Sequence, residues 1–563
     1  MSNLFRPGSV LLLLAALAAG CSDDKSPNEE TTDPSTMDPD DPEPTPGPMP
    51  TKSAADSDGD PTTVKLLDGD LEGDVAGDSV KFLKVPYAKP PVGALRWKAP
   101  QPNEKWTGVR HEASFASPCP QPPSDQVMNG SLDEDCLYLN VWRPNGTDTK
   151  QPVMVWIHGG GFTTGSAADI VPLTTDHLWC NGQPFAERGN VVVTINYRLG
   201  VFGFFPHPSL KEEGSPAGNQ GLLDQRAALQ WVQKNIEAFG GDPENVTIFG
   251  ESAGAGSVCM HVASPGSRGL FHRAVSQSGG CTADLGPGRE MTSDALAQYA
   301  SDRGCTGDDV VECLRAKPAS DFVSTMRVDR GMGSDTLRRS FNFGAVVDGE
   351  GGFLPKSARA AFDAGDIAKV PYIFGTNTEE AQLYFTSAQV PADEAAYVAE
   401  LSTRYGDFAP RVIEMYALSK FNGNIRKAMA RIQTDSGLVC GTMDTARRGV
   451  KAGLSVYMYN FNIPWSIARD ILGPSHASEI SHVFGTPYME MDAVAEVGDA
   501  MNQYWSNFAK TGDPNYSGAP TAWPRYMPDA SDNDQRLQFD PDYKVVDNFR
   551  KEECQLWREY AAR

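Results

Sequence analysis

The sequence predicts an α/β protein built on a mostly parallel sheet with helices on both faces. Three observations lead there. Short runs such as Val153–Ile157, Val191–Ile195 and Val246–Phe249 are apolar and rich in β-branched residues, without polar alternation, as strands buried on both faces require. Each run feeds a glycine-bearing turn: His158-Gly-Gly-Gly161, Asn196-Tyr-Arg-Leu-Gly200 and Gly250-Glu-Ser-Ala-Gly254. Between the second and third runs, Ala228, Leu229, Val232, Ile236 and Phe239 recur at helical spacing, so Ala227 to Phe239 reads as a crossover helix. Strands alternating with helices bury a sheet on both sides.

The first residues stand apart from this pattern. Arg6 precedes an apolar run from Val10 to Gly20, too short to span a bilayer as a mature helix. It reads as a signal peptide over residues 1–20. Residues 21–61 follow, with 12 acidic and two basic side chains, many prolines and almost no large apolar residue. Such a segment buries too little apolar surface to offset the entropy of ordering, and proline and like charge extend it. It is expected to act as a tether. Residues 62–563 carry no second linker and no internal repeat, and are expected to form one catalytic body. Within it Tyr372–Phe374 and Val456–Phe461 read as further strands, and Met501 to Ala509 as a late helix.

Charge narrows the partners. The formal net charge of -24 argues against nucleic acid or an anionic membrane surface, both of which need a basic face.

Gly250-Glu251-Ser252-Ala253-Gly254 matches G-x-S-x-G. In this motif the serine sits on a strained strand-to-helix turn, where side chains two residues to either side would collide, and glycine is needed there. The hydroxyl is then raised at a helix N-terminus, whose free N–H groups favour developing negative charge. Ser252 is therefore the candidate nucleophile. His158-Gly159-Gly160-Gly161-Phe162 is the candidate oxyanion loop, with N–H donors expected from Gly160, Gly161 and Ala253. A phosphate-cradling reading fits less well, because neither a Gly-Lys-Ser/Thr ending nor a GxGxxG spacing is present.

With these motifs the chain resembles the type-B carboxylesterases, the group of cholinesterases and bacterial p-nitrobenzyl-esterase-like enzymes. The resemblance runs through roughly residues 62–560. It includes Phe82-Leu-Lys-Val-Pro-Tyr-Ala88 with Leu95-Arg-Trp97, and Glu134-Asp-Cys-Leu-Tyr-Leu-Asn-Val141. It continues through Asn196-Tyr-Arg-Leu-Gly-Val-Phe-Gly-Phe204, Gly218-Asn-Gln-Gly-Leu-Leu-Asp224, Phe239-Gly-Gly-Asp-Pro243 and Tyr504-Trp-Ser-Asn-Phe-Ala-Lys-Thr-Gly-Asp-Pro-Asn515. It implies an α/β-hydrolase fold with large insertions and hydrolysis of carboxylic esters through an acyl-enzyme.

A serine hydroxyl needs a base, and the base needs an acid; in α/β-hydrolases the chain order is serine, acid, histidine. Gly375-Thr-Asn-Thr-Glu379-Glu380-Ala381 resembles the family's Gly-x-Asn-x-Asp-Glu-Gly, whose glutamate falls on Glu380. Glu379 and Ala381 depart from that pattern, so Glu379 remains a competitor. Of the histidines after Ser252, His261 lies in the nucleophile's own helical stretch and His272 reads as scaffold. Gly473-Pro-Ser-His476-Ala-Ser-Glu479-Ile-Ser-His482-Val-Phe-Gly485 resembles the family's histidine loop. His476 aligns with the catalytic histidine, His482 with an aromatic scaffold position, and Glu479 reads as loop support. Ser278 resembles a serine packed behind the triad.

No cofactor is required by this scheme, and no Cys/His cluster has zinc spacing. Export permits disulfides, and the spacings favour Cys119 with Cys136 and Cys305 with Cys313. The partners of Cys180, Cys259, Cys281, Cys440 and Cys554 stay open. Leu17-Ala-Ala-Gly-Cys21 resembles a bacterial lipobox, with Ala18 where leucine is usual. That implies lipidation at Cys21 and an exported, membrane-anchored protein, at the outer membrane in a Gram-negative host. Cholinesterases carry a tryptophan in the loop of the first disulfide; here residues 119–136 hold no aromatic, which implies a more open mouth and no choline ester. The rival expectations are a lipase on long-chain glycerides and a non-catalytic surface adhesion protein.

Overall fold

The computed structural model describes residues 62–563 apart from 125–126, 147–149, 170–177, 283–292, 327–342, 386–389, 466–468, 487–491 and 529–533. The signal segment 1–20, Cys21 and the linker 21–61 therefore lie outside the described residues. Three short strands, β1 (Thr63–Lys65), β2 (Asp70–Glu72) and β5 (Val109–His111), form a small sheet. The large sheet begins with β3 (Asp74–Ala76), β4 (Ser79–Pro86) and β6 (Tyr138–Pro144), all antiparallel neighbours. It continues with β7 (Gln151–Ile157), β8 (Val191–Ile195), β9 (Gly241–Glu251), β10 (Arg273–Gln277), β11 (Tyr372–Asn377), β12 (Val456–Phe461), β13 (Arg536–Phe539) and β14 (Lys544–Val546). The spatial order is β14-β13-β12-β11-β10-β9-β7-β8-β6-β4-β3. From β8 to β13 neighbouring strands pair in parallel, and β14 returns antiparallel at the rim. This is the α/β-hydrolase fold.

Each expected strand is present, and the reason for its apolar run is visible. All five residues of β8 are buried, as are all six of β11 and of β12. The expected crossover helix differs at both ends. It begins seven residues earlier, at Gln220, and runs to Asn235. Its opening turns carry polar side chains that are nevertheless buried: Asp224 takes the Arg198 guanidinium at 2.7 Å through both oxygens, and Gln225 donates to Ser257. Periodicity of apolar residues does not report a helix face buried by pairing. Ile236–Phe239 is a 3₁₀ turn ended by Gly240 at φ 77°, where glycine avoids the left-handed penalty. The late helix is also longer, Asp492–Thr511.

β8 leads away from β7 on one side and β9 lies on the other. The sheet order therefore reverses at β7, and the crevice beyond the carboxyl ends of β7 and β9 is where such sheets bind ligands. Among the described residues four disulfides are formed: Cys119–Cys136 and Cys305–Cys313, as spacing favoured, and also Cys259–Cys281 and Cys440–Cys554. Cys180 is a free, buried thiol. Among the described residues no helix is long and apolar enough to cross a membrane.

Candidate active site

The register of the sheet assembles the site. Ile157 pairs with Gly250, Glu251 with Gln277, Gln277 with Gly375 and Gly375 with Tyr459. The carboxyl ends of β7, β9, β10, β11 and β12 thus lie side by side. The loops that leave them carry His158–Gly161, Ser252, Ser278, Glu380 and His476, in that order.

Ser252 adopts φ 56° and ψ -118° between β9 and the helix Ala253–Ala263, a strained conformation of the kind that marks functional turns. Its N–H donates to Gln277 O at 2.9 Å, fixing the bend to β10. Ala253 is the first helical residue, so its N–H has no acceptor within the helix. The candidate oxyanion loop packs against this bend. A Cβ on Gly159 would lie 2.7 Å from Glu251 Oε2 and 3.1 Å from Ser252 Cβ. Gly160 holds φ +94°, and a Cβ there would meet Thr164 O at 2.1 Å, so the turn admits only glycine. Thr163 and Thr164 donate back to Gly160 O at 3.0 Å. Gln121, inside the Cys119–Cys136 loop, donates to Gly165 O at 2.8 Å and accepts from Gly165 N at 2.9 Å. The ring of His158 stacks on Tyr197, and burial lowers its pKa to about 4, so it is a neutral support.

His476 and Glu380 meet although 96 residues separate them: Nδ1 lies 2.8 Å from Glu380 Oε2, and His476 N–H donates to Glu380 O at 3.0 Å. Glu380 is fully buried, and its other oxygen accepts from Asn377 N–H at 2.7 Å. Glu379 points elsewhere, into an ion pair with Arg431. Glu479 is buried and accepts from Asn377 Nδ2 at 2.7 Å and from Gln277 Nε2 at 3.2 Å, tying the histidine loop to β10 and β11. His261 is held between Ser267 and Gln225. His272 accepts from Val246 N–H, and His482 packs edge-on against Phe461. Ser278 is buried at φ 54°, its N–H donating to Gly375 O at 2.8 Å and its hydroxyl without a partner among the described residues.

Sequence reasoning missed Glu251. Its Oε1 lies 3.1 Å from His476 Nε2, close but out of line for a hydrogen bond. The imidazole therefore stands between two carboxyl groups. Burial lowers its pKa, but Glu251, then Glu380, outweigh that and raise it to about 9. Burial pushes the Glu251 carboxyl well up in turn. The signal was in the motif itself: a glutamate fixed one residue before a nucleophile is carried to wherever the nucleophile's base must come. Among the described residues no group of three His, Cys, Asp or Glu side chains is placed to hold a metal ion.

Comparison with known proteins agrees with this architecture. The model of the carboxylesterase family matches residues 60–557. A relative from Anas platyrhynchos, described as a medium-chain fatty acyl-CoA hydrolase precursor, is 36% identical over 520 residues, covering 84% of this chain and 87% of that protein. Neither match favours a long-chain glyceride lipase or a non-catalytic adhesion protein. A parallel sheet ending in a strained serine turn, with a glycine loop beside it and a match along nearly the whole body, leads to one assignment: the chain belongs to the carboxylesterase family of α/β-hydrolases and is a serine hydrolase of carboxylic esters.

Proposed function

We propose that Ser252 attacks the ester carbonyl while His476 takes its proton, with Glu380 holding the imidazole tautomer and stabilising the imidazolium. The N–H groups of Gly160, Gly161 and Ala253 receive the developing oxyanion. His476 returns the proton to the departing alcohol, and water activated by the same ring cleaves the acyl-enzyme. The observation that carries this reading is the 2.8 Å contact of His476 Nδ1 with Glu380, which leaves Nε2 facing the nucleophile turn at Glu251. Ser252→Ala tests it: turnover of p-nitrophenyl esters falls by roughly the 10⁶-fold scale of triad knockouts, and near-normal turnover rules the nucleophile out.

The substrate is a small-molecule ester. A medium-length acyl chain fits the relative named for medium-chain fatty acyl-CoA and a Cys119–Cys136 loop without aromatic residues. A ladder of p-nitrophenyl esters of increasing acyl length tests this, with a maximum at intermediate length expected. The N-terminal pattern supports export with cleavage before Cys21, lipidation there, and residues 21–61 as the tether to the membrane. Four disulfides support an oxidising compartment. Cys21→Ala should release the protein from the membrane fraction, and an unchanged distribution argues against the anchor. The type-B branch of the family, and the division into residues 1–20, 21–61 and 62–563, belong to the same proposal.

A further inference from the structure

The acid loop is gripped from a side that the reaction scheme does not use. Helix Ile425–Gln433 runs into a π-helical turn, Thr434–Val439, and then into helix Cys440–Lys451. The wider turn is real in its hydrogen bonding: Cys440 N–H reaches back five residues to Asp435 O. Each helical residue advances about 100°, so one inserted residue lets the segment before it face the acid loop while the segment after it faces the core. Such turns cluster at functional sites. Thr434 opens this one. It is fully buried, and its hydroxyl accepts the N–H of Ala381, the residue after Glu380, at 3.0 Å.

Neighbouring contacts hold the same loop. Arg431, one turn earlier, pairs with Glu379. Arg426 donates to Gln382 and to Phe385 O. Arg550 donates to Thr378 O at 3.4 Å and lies 3.5 Å from Asp435. Asp435 accepts from the Tyr416 hydroxyl, which accepts from Trp557 Nε1. Trp557 belongs to the helix Lys551–Ala561, joined to Cys440 through Cys554.

We propose that Thr434, held by this π-helical turn, is a positioning residue that sets the backbone of the acid loop and through it the aim of Glu380 at His476. The inference rests on the reading of Glu380 as the triad acid. The hydroxyl meets the N–H of the residue that follows the acid, so its loss leaves a buried donor unpaired at the point where the loop turns away from the site. Asn377 N–H still holds one carboxyl oxygen. The loop therefore stays folded while its far end drifts, and the carboxylate–imidazole contact lengthens.

The test is a pH profile of ester hydrolysis on the full-length chain with Thr434→Val, Thr434→Ala and Thr434→Ser, beside Glu380→Gln. Valine keeps the shape without the acceptor, and the alanine variant carries the test if the valine one fails to accumulate. We expect kcat to fall about ten- to hundredfold with KM little changed. The acid limb of kcat/KM should move to lower pH, because the imidazolium loses part of its carboxylate support; the groups facing it are Glu251, Glu380 and Glu479. The downfield proton resonance of the His476–Glu380 bond should weaken. Serine, which restores the acceptor, should restore all three. A merely structural threonine would lower thermal stability and leave kcat and the acid limb at wild-type values. That result, with Glu380→Gln inactive, overturns the inference and leaves the triad standing. An active Glu380→Gln overturns both.

Discussion

Substituting Gly254 by alanine tests how tightly the candidate nucleophile turn and the end of β7 share space. A Cβ on Gly254 would lie 2.0 Å from Ile157 O and 2.8 Å from His158 O, where carbon and carbonyl oxygen normally stay about 3.3 Å or more apart. The helix Ala253–Ala263 must therefore move by about 1 Å from the end of β7. Ser252 and Ala253 ride on that helix, and the candidate donors Gly160 and Gly161 follow β7, so the shift separates nucleophile from oxyanion donors. A misplacement of that size costs about a hundredfold in rate, and the overpacking costs about 1–3 kcal/mol of stability. Gly256, two residues along the same helix, is the control: the nearest atom to its Cβ is the flexible Met260 Cε at 3.7 Å. Gly256→Ala should keep wild-type turnover and gain up to ~1 kcal/mol from helix propensity. Kinetics on a p-nitrophenyl ester and urea denaturation read both variants. Wild-type kcat in Gly254→Ala would refute the claim that the two elements leave no room for a methyl group.

Glu251→Gln removes a carboxyl whose charge raises the imidazole pKa. A His pKa raised by a facing carboxylate falls when that charge goes, and the active form is the neutral ring, so the acid limb of kcat/KM should shift to lower pH; an unmoved limb means Glu251 does not face the ring as a charge. The disulfides should differ in worth. Chain-entropy scaling gives about 4.8 kcal/mol for Cys440–Cys554, whose partners are 114 residues apart, and about 2.5 kcal/mol for Cys305–Cys313, 8 apart. Paired Cys→Ser substitutions followed by denaturation check the order, and equal losses would contradict it.

Much of the site was legible because the chemistry constrains residues close in the chain. Gly250–Gly254 needs its glycines for steric reasons that act over five residues, and His158–Gly161 follows directly on a buried strand. Glu380 could be separated from Glu379 only by a pattern; the structure then directs Glu379 to Arg431 and Glu380 to His476. Spacing indicated the two short disulfide loops. It gave no hold on Cys259–Cys281 or Cys440–Cys554, whose partners are adjacent only after helices and strands have packed.

By itself, then, the chain determines its strands, its strained serine turn and its glycine loop, since local sterics and burial on both faces of a sheet leave their marks within a few residues. The folded arrangement alone decides which carboxyl groups surround the histidine. Glu251, Glu380 and Glu479 come from three separate segments, and their proximity follows from the register of β9, β10, β11 and β12. Thr434 reaches the acid loop for the same kind of reason, because a single extra helical residue turns it inward, and no periodicity in the sequence records that rotation.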